Sequence, residues 1–295
     1  MSEIFDFLKK TEKERRQVIL PPEPEAERPD FGVRPELVES SLAPAPGSEP
    51  VSRDVELCQD ERFDLTDATP QVKTVMDPLT LIGEQFRLLR SRLVLMQKQR
   101  GIKTILVTST VPEEGKTFTA SGLIGVLAQE PGKRVLLIDA DMRKPRSGIN
   151  FGLNGATSAM GLSEVLRGAV SFENALFTCT NPEFSFLPSG PLPPNPSELL
   201  SSPLLEQTLK TAAAHFDWVI VDSPPVLSLS DTVLLAPLCD AVVLVVRANS
   251  TSARLVEDAV ARIGKERICG VILNRQKHLA SSKYYYKYYY KKVKS

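Results

Sequence analysis

Tyrosine is absent from the first 283 residues of this 295-residue chain. Tryptophan occurs once, at Trp218, and histidine twice, at His215 and His278. Two histidines so far apart leave little for Ser-His catalysis or imidazole–metal chemistry. The four cysteines, Cys58, Cys179, Cys239 and Cys269, lack zinc-ligand or redox spacing. That pattern fits a reducing cytoplasm, and Cys239 and Cys269, beside apolar runs, are expected to act as small core residues. Net charge is lacking too: 36 basic side chains balance 36 acidic ones, so bulk charge favours neither nucleic acid nor membrane. No secretory leader is visible at the N-terminus. The longest apolar runs, such as residues 241–246, are strand-sized, far short of the roughly 20 residues of a spanning helix.

What is present is unevenly placed. Residues 1–20 read as a short amphipathic helix, with Ile4, Phe5 and Leu8 among mixed charges. Residues 21–76 read as a disordered linker. Nine of the 23 prolines lie between Pro21 and Pro70, with thirteen acids against four bases and no apolar period. Order is expected from Asp77, a candidate helix cap, followed by Pro78 at a first-turn position. Ile82, Phe86, Leu89, Leu93 and Met96 then recur at helical spacing. Glu84, Arg87 and Arg90 sit on another face of that helix.

Beyond residue 100 the pattern alternates. Short β-branched runs at 103–109, 134–139, 184–188, 217–222, 241–247 and 269–274 read as strands. Helical stretches fall near 116–130, 161–168, 197–214, 229–238 and 252–264. This is an α/β, P-loop NTPase-like pattern: a mostly parallel sheet covered by helices on both faces. The ordered domain is expected over 77–280, and residues 281–295 form a tail. That tail holds all six tyrosines, Tyr284, Tyr285, Tyr286, Tyr288, Tyr289 and Tyr290, with five lysines and no acid.

In open α/β sheets, ligands bind beyond the carboxyl ends of the strands. Three such ends carry polar motifs. The first reads "TSTVPEEGKTF" and ends in the second half of a Walker A loop. Pro112, Glu113, Glu114, Gly115, Lys116, Thr117 and Phe118 are the expected ATP-binding residues. Lys116 would reach the β- and γ-phosphates and Thr117 would bind Mg²⁺. Thr110 stands where the loop's first glycine usually lies. The second end, "IDADMRKPR", places Asp139 and Asp141 at the mouth of the sheet, followed by Arg143. The third, "VIVDSPPV", is a Walker B pattern with Asp222 on the Mg²⁺ shell.

Together these residues resemble the bacterial tyrosine kinases of capsule and exopolysaccharide synthesis, over about residues 77 to 295. The matching features are "STVPEEGKT"; Asp139, Asp141 and Arg143 as DxDxR; Asp222, Pro224 and Pro225 as DxPP; Glu84, Arg87 and Arg90 as ExxRxxR; and the tyrosine-rich end. "GPLPPNPSELLSS" at 190–202 is similar to a loop of the family. Glu113 departs from the family's usual glycine, and Gly122 from its common asparagine.

The resemblance implies an ATP- and Mg²⁺-dependent autokinase whose tail tyrosines are phosphorylated in trans within a homo-oligomeric ring. Glu84 of one subunit would pair with Arg87 or Arg90 of the next, although their spacing equally suits an ion pair within one helix. It also implies a separate transmembrane polysaccharide co-polymerase as activator, a cognate phosphatase, tyrosine-bearing protein substrates, and cytoplasmic residence at the inner face of the membrane. Asp139 is the candidate acceptor of the tyrosine proton. Asp141 and Asp222 would complete the metal shell, and Arg143 would stabilise transferred charge; base and metal roles are not divided between Asp139 and Asp141. Two alternatives remain at this point. One is a positioning or partitioning ATPase, whose early signature lysine is replaced here by Val111. The other is a scaffold with a degenerate nucleotide site.

Overall fold

The computed structural model describes residues 62–153 and 160–276. The expected N-terminal helix and the tyrosine tail lie outside the described residues. Eight strands form one sheet: β1 (Arg62–Phe63), β2 (Thr104–Ser109), β3 (Val135–Asp139), β4 (Phe177–Thr180), β5 (Glu183–Leu187), β6 (Trp218–Asp222), β7 (Ala241–Arg247) and β8 (Ile268–Asn274). Their order across the sheet is β1-β4-β5-β3-β6-β2-β7-β8. All neighbours pair in parallel except β4 and β5, which form a hairpin. β2, β3 and β6 are buried along their whole length, as the unbroken apolar runs of a doubly covered parallel sheet demand.

Two apolar layers flank the sheet. One packs helices Pro203–His215 and Ala253–Ile263 against Leu136, Val219 and Leu244. The other packs helices Pro70–Met76, Leu81–Arg100 and Lys116–Leu127 against Ile105, Leu137 and Ile220. Phe86 and Leu93 are buried on the long helix as their spacing predicts, whereas Ile82 stays largely exposed.

The expected boundary at residue 77 needs correction: within the supposed linker, residues 62–76 are part of the fold. β1 pairs with β4, and Phe63 meets Phe184 edge-on at 5.8 Å between centroids. Val72 and Val75 are fully buried, and burial of each stabilises by roughly 1.5–3 kcal/mol. The acidic, proline-bearing neighbourhood concealed this short helix. Asp77 does not start the long helix. It closes the preceding one, its N–H donating to Lys73 O, and its side chain accepts from Leu79 N. Thr80 caps the long helix, its hydroxyl accepting from Gly83 N at 3.0 Å. The single helix expected over 197–214 is two, Pro196–Leu200 and Pro203–His215, because Pro203 can begin a helix but cannot extend one.

Candidate active site

Parallel pairing brings the polar strand ends together. Asp139 and Asp222 are register partners on β3 and β6, and β6 lies beside β2, which feeds the loop holding Lys116. Lys116 Nζ donates to Asp141 Oδ2 at 2.7 Å and to Thr117 Oγ1 at 3.1 Å, with Asp222 Oδ1 at 3.7 Å. Asp139 accepts from Asp141 N at 3.1 Å and from Ser147 N at 3.0 Å. Ser147 Oγ also donates to Asp222 Oδ2 at 3.3 Å. The structure thus brings Lys116, Thr117, Asp139, Asp141 and Asp222 together.

Three buried carboxylates around one ammonium strain the local electrostatics. Burial raises Asp139 to about 7, and the nearby Asp222 charge adds to that; Lys116 opposes both. Burial likewise pushes Asp222 up, against Lys116 and the Thr117 hydroxyl. Burial alone would lower Lys116, but Asp222 and Asp141 outweigh it and hold its ammonium above the usual range. Asp222 Oδ1 is buried without a hydrogen-bond partner among the described residues. Such an orphaned oxygen, close to the Thr117 hydroxyl and a second acid, fits the hard-oxygen preference of Mg²⁺. Among the described residues no three acidic, Cys or His side chains converge to cage a bare metal ion. Mg²⁺ takes one or two carboxylates and completes its shell with phosphate oxygens and waters.

The rest of the loop is divided. The helix Lys116–Leu127 offers its unpaired N-terminal N–H groups to an anion. Gly115 has φ +97°, and a Cβ there would lie 2.1 Å from Asn274 Nδ2, so glycine is required. Glu113 takes a left-handed φ of 66°. Glu114 turns its side chain away from the phosphate cradle, and its carboxylate is a clamp. It accepts from Val111 N and Arg247 N, each at 3.0 Å, and from the Thr251 hydroxyl. Its carbonyl accepts from Asn274 Nδ2 at 2.8 Å. Phe118 stacks edge-on with Phe86, 5.6 Å between centroids.

Arg143 lies outside the Lys116 cluster. Its Nε donates to Asp231 at 3.0 Å and its Nη2 to Ser197 at 2.9 Å. Of the expected interface residues, Arg87 bonds Glu84 within its own helix, at 2.8 Å, and Arg90 donates to Val126 O, at the C-terminal end of the P-loop helix.

Ser147 escaped the sequence, because only tertiary contact assigns it a role. Glu114 was named as an ATP-binding residue, and the structure places its carboxylate on Val111, Arg247 and Thr251. Asn274 carried a signal: it is a polar residue closing an apolar strand, as Asp139 and Asp222 do. It borders a cleft of about 820 Å³ between the long helix and the end of β8, with Gly115, Phe118 and Thr119 along its wall.

The loop, the sheet order and the paired acidic strand ends define a P-loop phosphate-handling protein. An AAA domain family model matches residues 102–267. The chain is 38% identical over 218 residues to the tyrosine-protein kinase YwqD of Bacillus subtilis, covering 73% of this chain and 90% of that one. It is 33% identical to the tyrosine-protein kinase wzc of Salmonella typhimurium, covering 74% of this chain and 30% of the longer protein. The kinase domain of the Escherichia coli tyrosine kinase ETK superposes with a TM-score of 0.65 at 31% identity, covering 72% of this chain and 84% of that domain. The BceF tyrosine kinase domain gives 0.61 at 32% identity, with 68% and 81% covered. The chain belongs to the bacterial tyrosine-protein kinase family.

Proposed function

We propose that the protein is an ATP-dependent tyrosine autokinase whose acceptors are Tyr284, Tyr285, Tyr286, Tyr288, Tyr289 and Tyr290. The observation that carries this reading is the buried Lys116–Asp141–Asp222 cluster in a chain that keeps every tyrosine for its tail. Phosphoryl transfer asks mainly for positioning and charge neutralisation. Thr117 and Asp222, with Asp139 or Asp141, would hold Mg²⁺, which when bound neutralises charge on the β- and γ-phosphates. The loop N–H groups and Lys116 bind and orient the same oxygens. The cleft beside Phe118 and Asn274 would take the nucleoside, being apolar, with a few convergent polar groups.

A tyrosine phenol is protonated at neutral pH. Asp139, at the end of β3 and in register with Asp222 on β6, is the candidate acceptor of that proton. The phenolate oxygen then bonds to the γ-phosphorus as the bond to the bridging oxygen breaks, and ADP leaves carrying the released charge.

Among the described residues no helix is long and apolar enough to cross a membrane. In this reading, recruitment to the inner face of the cytoplasmic membrane falls to a separate transmembrane co-polymerase that also activates the kinase. A cognate phosphatase resets the tail, other proteins bearing tyrosine serve as substrates, and the output is control of capsular or exopolysaccharide polymerisation and export. Glu84, Arg87 and Arg90 would re-pair between subunits to build the ring. Phosphate incorporation from Mg²⁺-ATP tests the reading: wild type should label on tyrosine, whereas equal labelling of Lys116→Met would refute the assigned site.

A further inference from the structure

Arg143 is the one expected catalytic residue held outside the Lys116 cluster, and how it is held is informative. Its guanidinium side chain is 37% exposed, whereas its partner Asp231 is only 1% exposed. The exposed pairs Lys133–Asp217 and Lys210–Glu206 leave both partners in solvent, where such contacts contribute little. Asp231 instead has a buried carboxylate committed to one arginine. Ser197 closes the arrangement: its hydroxyl donates to Asp231 Oδ1 at 2.6 Å and accepts from Arg143 Nη2 at 2.9 Å. The proton order is therefore set. Asp231 accepts from both neighbours, which an ionised carboxylate does and a carboxamide cannot do with its nitrogen.

The three residues come from three different connections beyond the carboxyl ends of the strands. Arg143 follows β3 by four residues. Ser197 lies in the first turn of the short helix after β5, and Asp231 opens the helix after β6. Asp231 is itself anchored near Asp222, because Thr232 Oγ1 donates to Pro224 O at 2.6 Å. Arg143 is two residues from Asp141, whose carboxylate holds Lys116. A planar guanidinium gripped along one side keeps a fixed orientation, and two of its five N–H groups are spent. Three remain for anionic oxygens.

We propose that Asp231 and Ser197 are positioning residues that hold Arg143 rigidly on the acceptor side of the site, with its remaining donors directed to the phosphoryl oxygens passing to tyrosine. This rests on the kinase reading above. A charged donor fixed before reaction needs no reorganisation as charge moves, and that preorganisation is where electrostatic stabilisation gains its strength.

The test is a double-mutant cycle on tyrosine phosphorylation by the full chain, with ADP affinity and melting temperature measured alongside. Asp231→Asn is expected to lower kcat about 10- to 100-fold, the scale of a misplaced catalytic group, with ADP affinity within about two-fold of wild type. In an Arg143→Ala background Asp231→Asn is expected to cost nothing further. Ser197→Ala should lower kcat less, and Ser197→Thr, which keeps the hydroxyl, should restore it. Equal losses from Asp231→Asn with and without Arg143 would overturn the proposal, as would a loss confined to melting temperature or ADP affinity. If Asp231→Asn does not fold, the Ser197→Ala and Ser197→Thr pair decides: equal kcat in the two overturns it. Wild-type protein that labels no tyrosine would overturn the kinase reading, and the proposal with it.

Discussion

Lys116 Nζ stands 2.7 Å from Asp141 Oδ2, with Asp222 Oδ1 a further ångström away at 3.7 Å. One ammonium is shared among acids that burial makes reluctant to ionise. The groups assembled for phosphate and metal therefore cost the fold stability, a trade common at active sites.

That cost has a pH signature in protein stripped of metal and nucleotide. The folded-state value of Asp139 is raised to about 7 by burial and Asp222, against Lys116 and above the 3.8 of a free carboxyl. An acid raised on folding favours the folded state less as it ionises. The penalty is absent below about pH 4, grows as pH rises, and levels off above about 7. The melting difference between Asp139→Asn and wild type should therefore shift in the variant's favour between pH 4 and pH 8, on top of a constant cost for the backbone N–H that a carboxamide nitrogen cannot satisfy. A difference independent of pH would show that Asp139 carries no such charge.

The Glu114 carboxylate ties the loop before Lys116 to Arg247 at the end of β7 and to Thr251. Glu114→Ala frees Val111 N, Arg247 N and the Thr251 hydroxyl. The expected cost is about 2–3 kcal/mol in chemical denaturation, since unsatisfied buried groups are expensive. Weaker ADP binding by calorimetry should accompany it. Wild-type affinity would mean that the loop needs no clamp.

Gly122, where the family commonly carries asparagine, is explained by packing. A Cβ at Gly122 would lie 2.4 Å from Phe86 Cε1. Gly122→Asn should therefore destabilise this protein by about 1–3 kcal/mol, the usual range for overpacking. An unchanged denaturation midpoint would contradict that packing account.

Glu84 offers a clean test of ring assembly. Its side chain is 51% exposed and pairs within the first turn of the helix, so Glu84→Lys should cost only about 1 kcal/mol of stability. In the proposed ring the same change places like charges across the interface and should shift the protein to monomer on a sizing column. Arg90→Ala is less clean, because Arg90 also bonds Val126 O.

Much of this was legible in the chain. β2, β3, β6 and β7 are continuous apolar runs, and a parallel sheet covered on both faces asks for nothing else. Lys116, Asp139 and Asp222 were legible because sheet topology puts strand ends together. β4 was not: its sequence is "FTCT", and only its pairing with β5 and β1 makes it a strand. Val72 and Val75 were hidden by acidic and proline-bearing neighbours, although both pack fully into the core. The direction of a long side chain is equally invisible in sequence. Arg143 could be read as a cation near the site, but its tether to Asp231 joins residues 88 apart.

In the proposed function the site around Lys116 modifies this chain's own tyrosines. Mass spectrometry of the C-terminal peptide after incubation with Mg²⁺-ATP tests it most directly. Wild type should carry phosphate on tyrosines between Tyr284 and Tyr290, and Lys116→Met should carry none. An unmodified wild-type tail, or equal modification of the two proteins, would contradict it.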